Sequence, residues 1–181
     1  MPRHLLILAL VSSAVPGMLL AAEAGQFRVG LQPDGRIVVP TNKILHPAGR
    51  QVTFSGRPVD LAWIRDGKTV AIKNMNSLLF YDLESGELRP PLDSPAGFGV
   101  TGLLAKDHQV FVTDASNHLR IAEADAQGQY GWKGEVRLNS PAVGGEANPA
   151  GMAWSSNHTL WIATTLENVI QHVDLAKRKV T

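Results

Sequence analysis

Residues 57–92 read RPVDLAWIRDGKTVAIKNMNSLLFYDLESGELRPPL, four short apolar or alternating runs separated by turn signals. Pro58 to Ile64 is the first run and is mostly apolar, as expected of an innermost strand with neighbours on both faces. Asp66-Gly67 marks a tight turn, where glycine supplies the positive φ. Thr69 to Lys73 follows as a second strand, rich in β-formers. Asn74, Met75 and Asn76 turn the chain, Ser77 to Leu83 forms a third strand, and Glu84-Ser85-Gly86 turns it again. Glu87 to Leu92 is the expected fourth strand, at an edge, where the missing N–H groups of Pro90 and Pro91 do no harm. No window after the first two dozen residues sustains an i, i+3, i+4 apolar period, so the unit reads as β and not as helix.

The unit recurs. VTGLLAKDHQVFVTDASNHLRIAEADAQGQ starts at Val100 and NPAGMAWSSNHTLWIATTLENVIQHVDLAKRKV at Asn148. The second copy has strands at Gln109 to Thr113 and Leu119 to Ala124, and the third at Thr159 to Thr164 and Val169 to Leu175. Each unit holds an Asn followed six residues later by an acid: Asn76 to Asp82, Asn117 to Glu123, Asn168 to Asp174. The Asn residues are 41 and then 51 apart, the longer step reflecting a Gly-rich insertion between Asp125 and Ala147. A period of about 40 residues with four short strands is the signature of a propeller blade. The fold class expected is all-β: a partial β-propeller of three four-stranded blades over residues 57–181, preceded by N-terminal strands at 25–56.

Within Trp63 to Leu88, DGKTVAIKN followed by NSLLFYDLESGEL resembles the YVTN-type β-propeller repeat, with its Asp-Gly-Lys turn, "YVAN"-like strand, Asn, and strand ending in Asp. Unit three keeps LWIAT, Asn168 and VIQHVDL, with Ser156-Asn157-His158 in place of the Asp-Gly turn. Unit two is degenerate. Residues Pro33 to Ala62 are similar, more loosely, to the opening of exported bacterial proteins that join such a propeller to an alkaline-phosphatase-superfamily phosphoesterase. That resemblance implies metal-dependent hydrolysis in a C-terminal domain whose ligands are absent from these residues.

Propellers have 4–8 blades as a rule, so three cannot close a ring. Gln51 to Phe54 is expected to form the outer strand that zips such a ring shut. The sequence therefore reads as the N-terminal part of a longer protein, or as a short protein whose half-ring pairs with a second copy. Its start reads as an export signal. Arg3 and His4 precede an apolar run from Leu5 to Val15, Pro16-Gly17 breaks it, and Ala22 and Ala24 fit the small-residue pattern of a signal peptidase. Cleavage is expected after Ala24, with Ala22 as the alternative. The run to Ala22 has the ~18 residues of a membrane anchor, but the Pro-Gly break and small-residue exit favour cleavage and a periplasmic or extracellular address. The 181 residues contain no cysteine, which suits an oxidising compartment.

Composition narrows the function classes. With 17 Lys+Arg against 16 Asp+Glu and 18% charged residues, the near-neutral balance argues against a nucleic-acid binder, which needs a basic face. His46, His108, His118, His158 and His172 show no metal-ligand spacing. The recurring Asp82, Glu123 and Asp174 read as caps on the following turns, and the recurring Asn residues as turn positions of unusual φ. Trp63 and Trp154, at matching positions, read as packing between blades. No serine has a nucleophile-elbow context. Neither catalytic residues, a cofactor nor a metal is expected. The best candidate binding loop is Gly144, Gly145, Glu146 and Asn148, inserted before an innermost strand and so placed to rim the central channel. The partner expected there is a protein or a small molecule.

Overall fold

The computed structural model describes residues 28–64 and 66–181. The export-signal expectation lies outside the described residues. The described residues divide into two compact units, with the boundary between Thr53 and Phe54. In the first, β1 (Gly30–Leu31), β2 (Ile37–Val38) and β3 (Ile44–Leu45) form a short antiparallel meander. Gln51 to Phe54 carries no strand, and no blade that it could pair with as an outer strand is present among the described residues.

The second unit is an incomplete β-propeller of three antiparallel four-stranded sheets. Blade 1 comprises β4 (Asp60–Trp63), β5 (Thr69–Lys73), β6 (Ser77–Asp82) and β7 (Leu92–Asp93). Blade 2 comprises β8 (Phe98–Lys106), β9 (Gln109–Asp114), β10 (His118–Ala124) and β11 (Tyr130–Arg137). Blade 3 comprises β12 (Pro149–Ser156), β13 (Thr159–Thr164), β14 (Val169–Asp174) and β15 (Lys179–Val180). The innermost strands β4, β8 and β12 lie beside one another, so the sheets fan around a common axis.

Inner strands follow the sequence reading within two residues, because apolar alternation and turn residues act locally. Outer strands depart from it. In blade 1 the ladder resumes only at Leu92–Asp93, against Leu78 and Ser77, after a lone bridge from Leu88 to Tyr81. Pro90 and Pro91 lack the N–H groups that would continue it. In blade 2 the stretch read as a Gly-rich insertion contains the whole outer strand β11. Gly134 pairs with Ile121 in that strand, and a Cβ there would meet the Arg178 guanidinium at 3.0 Å.

Register makes the blades superimposable. Thr69 faces Asp82, Gln109 faces Glu123 and Thr159 faces Asp174. Val70, Val110 and Leu160 are thus equivalent, as are Ile72, Val112 and Ile162, and these pairs look toward the preceding blade. The alternate residues look toward the following one, since successive side chains in a strand point to opposite faces. Ala71, Leu78 and Phe80 of blade 1 accordingly pack on Leu103, Val110 and Val112 of blade 2. Phe111, Leu119 and Ile121 of blade 2 pack on Leu160, Ile162 and Val173 of blade 3.

Aromatic contacts reinforce both seams. Phe80 stacks on Tyr130 with centroids 3.7 Å apart, and Phe111 meets Trp154 edge to face at 5.2 Å. Burial pushes the Tyr130 phenol up to about 12. Replacing Phe80 by Ala removes a fully buried aromatic ring of the first seam, and urea unfolding should show a loss of about 3–5 kcal/mol. Tyr130→Phe, which keeps the stack, should cost less than about 1 kcal/mol. Equal losses in both variants would contradict the packing described.

Candidate functional site

Antiparallel blades have two ends. The turns β5–β6, β9–β10 and β13–β14 and the loops entering β8 and β12 share one of them, here called the rim. The loop at residues 138–148 dominates this end. Asn117 anchors its two feet: the side-chain amide donates to Ser140 Oγ at 3.0 Å, the carbonyl oxygen accepts the Ala147 N–H, and Asn117 O accepts Leu138 N–H at 2.7 Å. Blade 3 holds the same loop through Gln171, which exchanges two bonds with the Asn139 backbone, and through Glu167 Oε1, which accepts Ala142 N–H at 2.7 Å.

Between those feet the apex is exposed. Val143 is 97% accessible, and Gly144 and Gly145 turn the chain at φ 86° and 91°. Of the candidate residues, Gly144, Gly145 and Glu146 are exposed at the apex. Asn148 is instead part of an anchor, with φ 47° and its amide donating to Thr165 Oγ1 at 2.9 Å.

The recurring Asn and acidic residues divide by role. Asp82 accepts Glu84 and Ser85 N–H, and Asp174 accepts Lys177 N–H, so both cap as expected. Those bonds, with Arg89, hold the Asp82 carboxyl down at about 2. Glu123 does not cap its turn: it accepts Gln109 Nε2, and Asp125 caps Gln127 and Gln129, because β10 runs further before turning. Only Asn168 of the three Asn residues has positive φ, 55°. Asn117 acts through its side chain, and the Asn76 carbonyl accepts Ser94 N–H.

Asp114, Ser116 and His118 sit together at the β9–β10 turn and invite a nucleophile–base–acid reading. Ser116 Oγ lies 2.8 Å from Asp114 Oδ1 and 3.2 Å from His118 Nδ1, while that same Nδ1 is 3.6 Å from Asp114 Oδ2. A relay needs the acid on one ring nitrogen and the hydroxyl on the other; here one nitrogen faces both. Asp114, fully buried, is saturated by Ser116 and His118 N–H and by Arg120 at 2.8 Å. The cluster is a turn. Among the described residues no group of three or more His, Asp or Glu converges as a metal site.

One charged group near the rim was not singled out in the sequence. Lys73 is completely buried in the first seam. Its ammonium donates to Thr101 O and to Thr113 Oγ1 at 3.2 Å, and lies 5.6 Å from the Phe98 ring centroid. Asp60 Oδ2 accepts Gly102 and Leu103 N–H at 3.0 and 3.1 Å. A Cβ at Gly102 would fall 2.1 Å from Ala150 O and from Thr113 Oγ1, so the backbone there admits only glycine. The signal was strand parity, since Lys73 shares a face with buried Ala71.

Burial pushes the Lys73 ammonium down to about 8, against the opposing pull of Asp60 and Asp114. The folded protein therefore releases this proton before the unfolded chain does, and stability should rise with pH between about 8 and 10.5. The gain available is about 3 kcal/mol. Lys73→Met should lose that rise in thermal melts across the window, whereas an unchanged pH profile would refute the assignment.

At the opposite end, a cleft of about 360 Å³ opens between blades 2 and 3, with Phe111, Ile121 and Trp154 in its lining and Lys106, Lys133 and Arg178 among its charges. Lys106 is already engaged, donating to Asn157 O and lying 5.0 Å from the Trp154 ring centroid. Between blades 1 and 2, Arg89 joins the sheets by donating to Gly128 O at 2.8 Å and Asp82 at 2.9 Å.

No family model and no curated protein matches the chain. Among solved structures, the β-propeller domain of Myceliophteria thermophila Cps50 (Swd1) is similar, at TM-score 0.53 and 15% identity over 81% of this chain and 50% of that one. A functionally unknown protein from Desulfotomaculum acetoxidans gives TM-score 0.56 at 14% identity, covering 81% and 48%. Kuenenia stuttgartiensis hydrazine synthase gives 0.54 at 18%, covering 75% and 38%. This chain thus spans half or less of the length of each. At such identities the likeness is one of fold, and the fold is that of a β-propeller.

Proposed function

We propose that this chain is an exported, non-catalytic β-propeller segment that binds a protein or small-molecule partner through its rim loops. The observation that carries the reading is Val143. An apolar side chain 97% exposed at the tip of a loop pinned at both feet is poor for folding and good for contact. The anchoring bonds from Asn117 and Gln171 hold the loop ready, so less ordering entropy is lost on binding. The resemblance of Trp63 to Leu88 to the YVTN-type repeat agrees with a scaffold role, as does the engagement of Asp114, Ser116 and His118 in the β9–β10 turn. The leader at residues 1–24 supports a periplasmic or extracellular site of action.

A photo-crosslinking residue in place of Val143, in the exported chain, should give a discrete adduct. The same substitution at Lys68, at the opposite end, should give none. No adduct at either position, or equal labelling at both, would defeat the reading. Export has its own check: the mature chain from a bacterial host should begin at Gly25, or at Glu23 if cleavage follows Ala22. A cytoplasmic product retaining its leader would exclude export.

A second reading, the N-terminal propeller of a two-domain phosphoesterase, is favoured by the stretch from Pro33 to Ala62. It requires an Asp/His-rich domain encoded beyond Thr181, and a coding sequence without one would remove it.

A further inference from the structure

The two seams solve the same packing problem with different residues. By register Phe80 of blade 1 corresponds to Ile121 of blade 2. Gly131 lies opposite Glu123 and Lys179 opposite Asp174, so Tyr130 and Arg178, one residue earlier, correspond as well. Where the first seam closes on the Phe80–Tyr130 ring stack, the second therefore offers an isoleucine and an arginine. Trp154, at the position of Ala105, fills part of that space by meeting Phe111. The rest is the cleft of about 360 Å³, floored by Phe111, Ile121, Trp154 and Leu175. Both walls belong to blades whose four strands are described. β15 leads away from the cleft, from Lys179 opposite Asp174 to Val180 opposite Val173, so these two blades set its shape.

The charges around this cleft are unequally engaged. Lys106 donates to Asn157 O, Glu123 accepts Gln109 Nε2, and Asp107 has a partner of its own. Lys133 and Arg178 have neither a hydrogen-bond nor an ion-pair partner among the described residues. Lys133 is the extra residue of the β11 bulge, between Trp132 opposite Ala122 and Gly134 opposite Ile121. Arg178 sits at φ 52° before β15 and reaches across to blade 2, where its guanidinium lies over Gly134. Two open cations thus stand side by side above an apolar floor. We propose that the cleft binds a small organic carboxylate with a flat apolar body. The carboxylate would lie between Lys133 and Arg178, whose planar fork matches it. The ring would take the space that Tyr130 occupies in the first seam. A cavity of this volume falls at the lower end of ligand sites, which run to about 300–1,000 Å³. The site lies at the end away from the rim loop, so the inference is independent of that reading.

Isothermal titration of the chain, produced from its full sequence, with naphthylacetate should give a Kd on the order of 0.1 mM. Naphthylethanol, its neutral counterpart, should bind about 10-fold more weakly. Lys133→Gln and Arg178→Asn should each weaken the acid by about 3- to 10-fold, and the double variant should no longer distinguish acid from alcohol. Both positions are exposed, and asparagine suits the left-handed backbone at 178, so the β-sheet circular dichroism should persist. Lys179→Gln removes an exposed cation of the same strand that does not line the cleft, and should bind the acid as the wild type does. Should Arg178→Asn fail to fold, Gly134→Ala carries the test, because its Cβ crowds the guanidinium without removing charge and should weaken the acid alone. Failure of naphthylacetate to bind, or equal affinity for acid and alcohol in the wild type, overturns the inference. So does a loss on Lys179→Gln as large as that on Arg178→Asn, or a double variant that keeps its preference for the acid.

Discussion

Neighbouring blades cohere because each sheet turns one set of alternate side chains back and the other forward, and the two sets interlock across every seam. That pleat parity is the constraint on which the architecture depends. Phe80 against Tyr130, and Phe111 against Trp154, are the largest expressions of it. A one-residue slip in any hairpin would exchange the two faces, putting Tyr81 where Phe80 lies and exposing what is now core. The Asp-containing turns resist such slips by fixing hairpin length, with Asp66 and Asp82 each accepting successive backbone N–H groups.

The seams are not purely apolar. Lys73 crosses from blade 1 to the Thr101 carbonyl and Thr113 hydroxyl of blade 2, and Thr113 continues to Ala150 O of blade 3 at 3.2 Å. Buried polar groups are tolerated when every donor finds an acceptor. Here the chain of contacts joins three blades near their innermost strands, at the end where the rim loop is anchored. Asn117 performs the comparable task for that loop. Fold and candidate binding surface thus meet at one layer of side-chain-to-backbone bonds.

The conspicuous polar residues are each engaged in the turns and faces where they lie. Asp114 is surrounded by donors that hold the β9–β10 turn together. His172 lies against Trp161 with centroids 4.4 Å apart and bonds Thr181 Oγ1. The acids Asp82 and Asp174 recur because each blade has a turn to close. Repetition of a residue in a repeat protein points first to the repeat's own construction.

Much of this was local and so legible in the amino-acid order alone. Thr69–Lys73 and Thr159–Thr164 stand where alternation puts them, and the blade period emerges from four runs and three turns. Gly144, Gly145 and Glu146 could be read as a loop because glycine pairs there have no strand or helix to continue. Other features were decided only by the folded chain. Outer strands are held chiefly by ladder bonds to the third strand, so Tyr130–Arg137 hid among glycines and the expected strand from Glu87 shrank to Leu92–Asp93. The burial of Lys73 and the anchoring by Asn117 and Asn148 depend on which sheet lies opposite. That neighbour is set by packing across tens of residues, which no local pattern specifies.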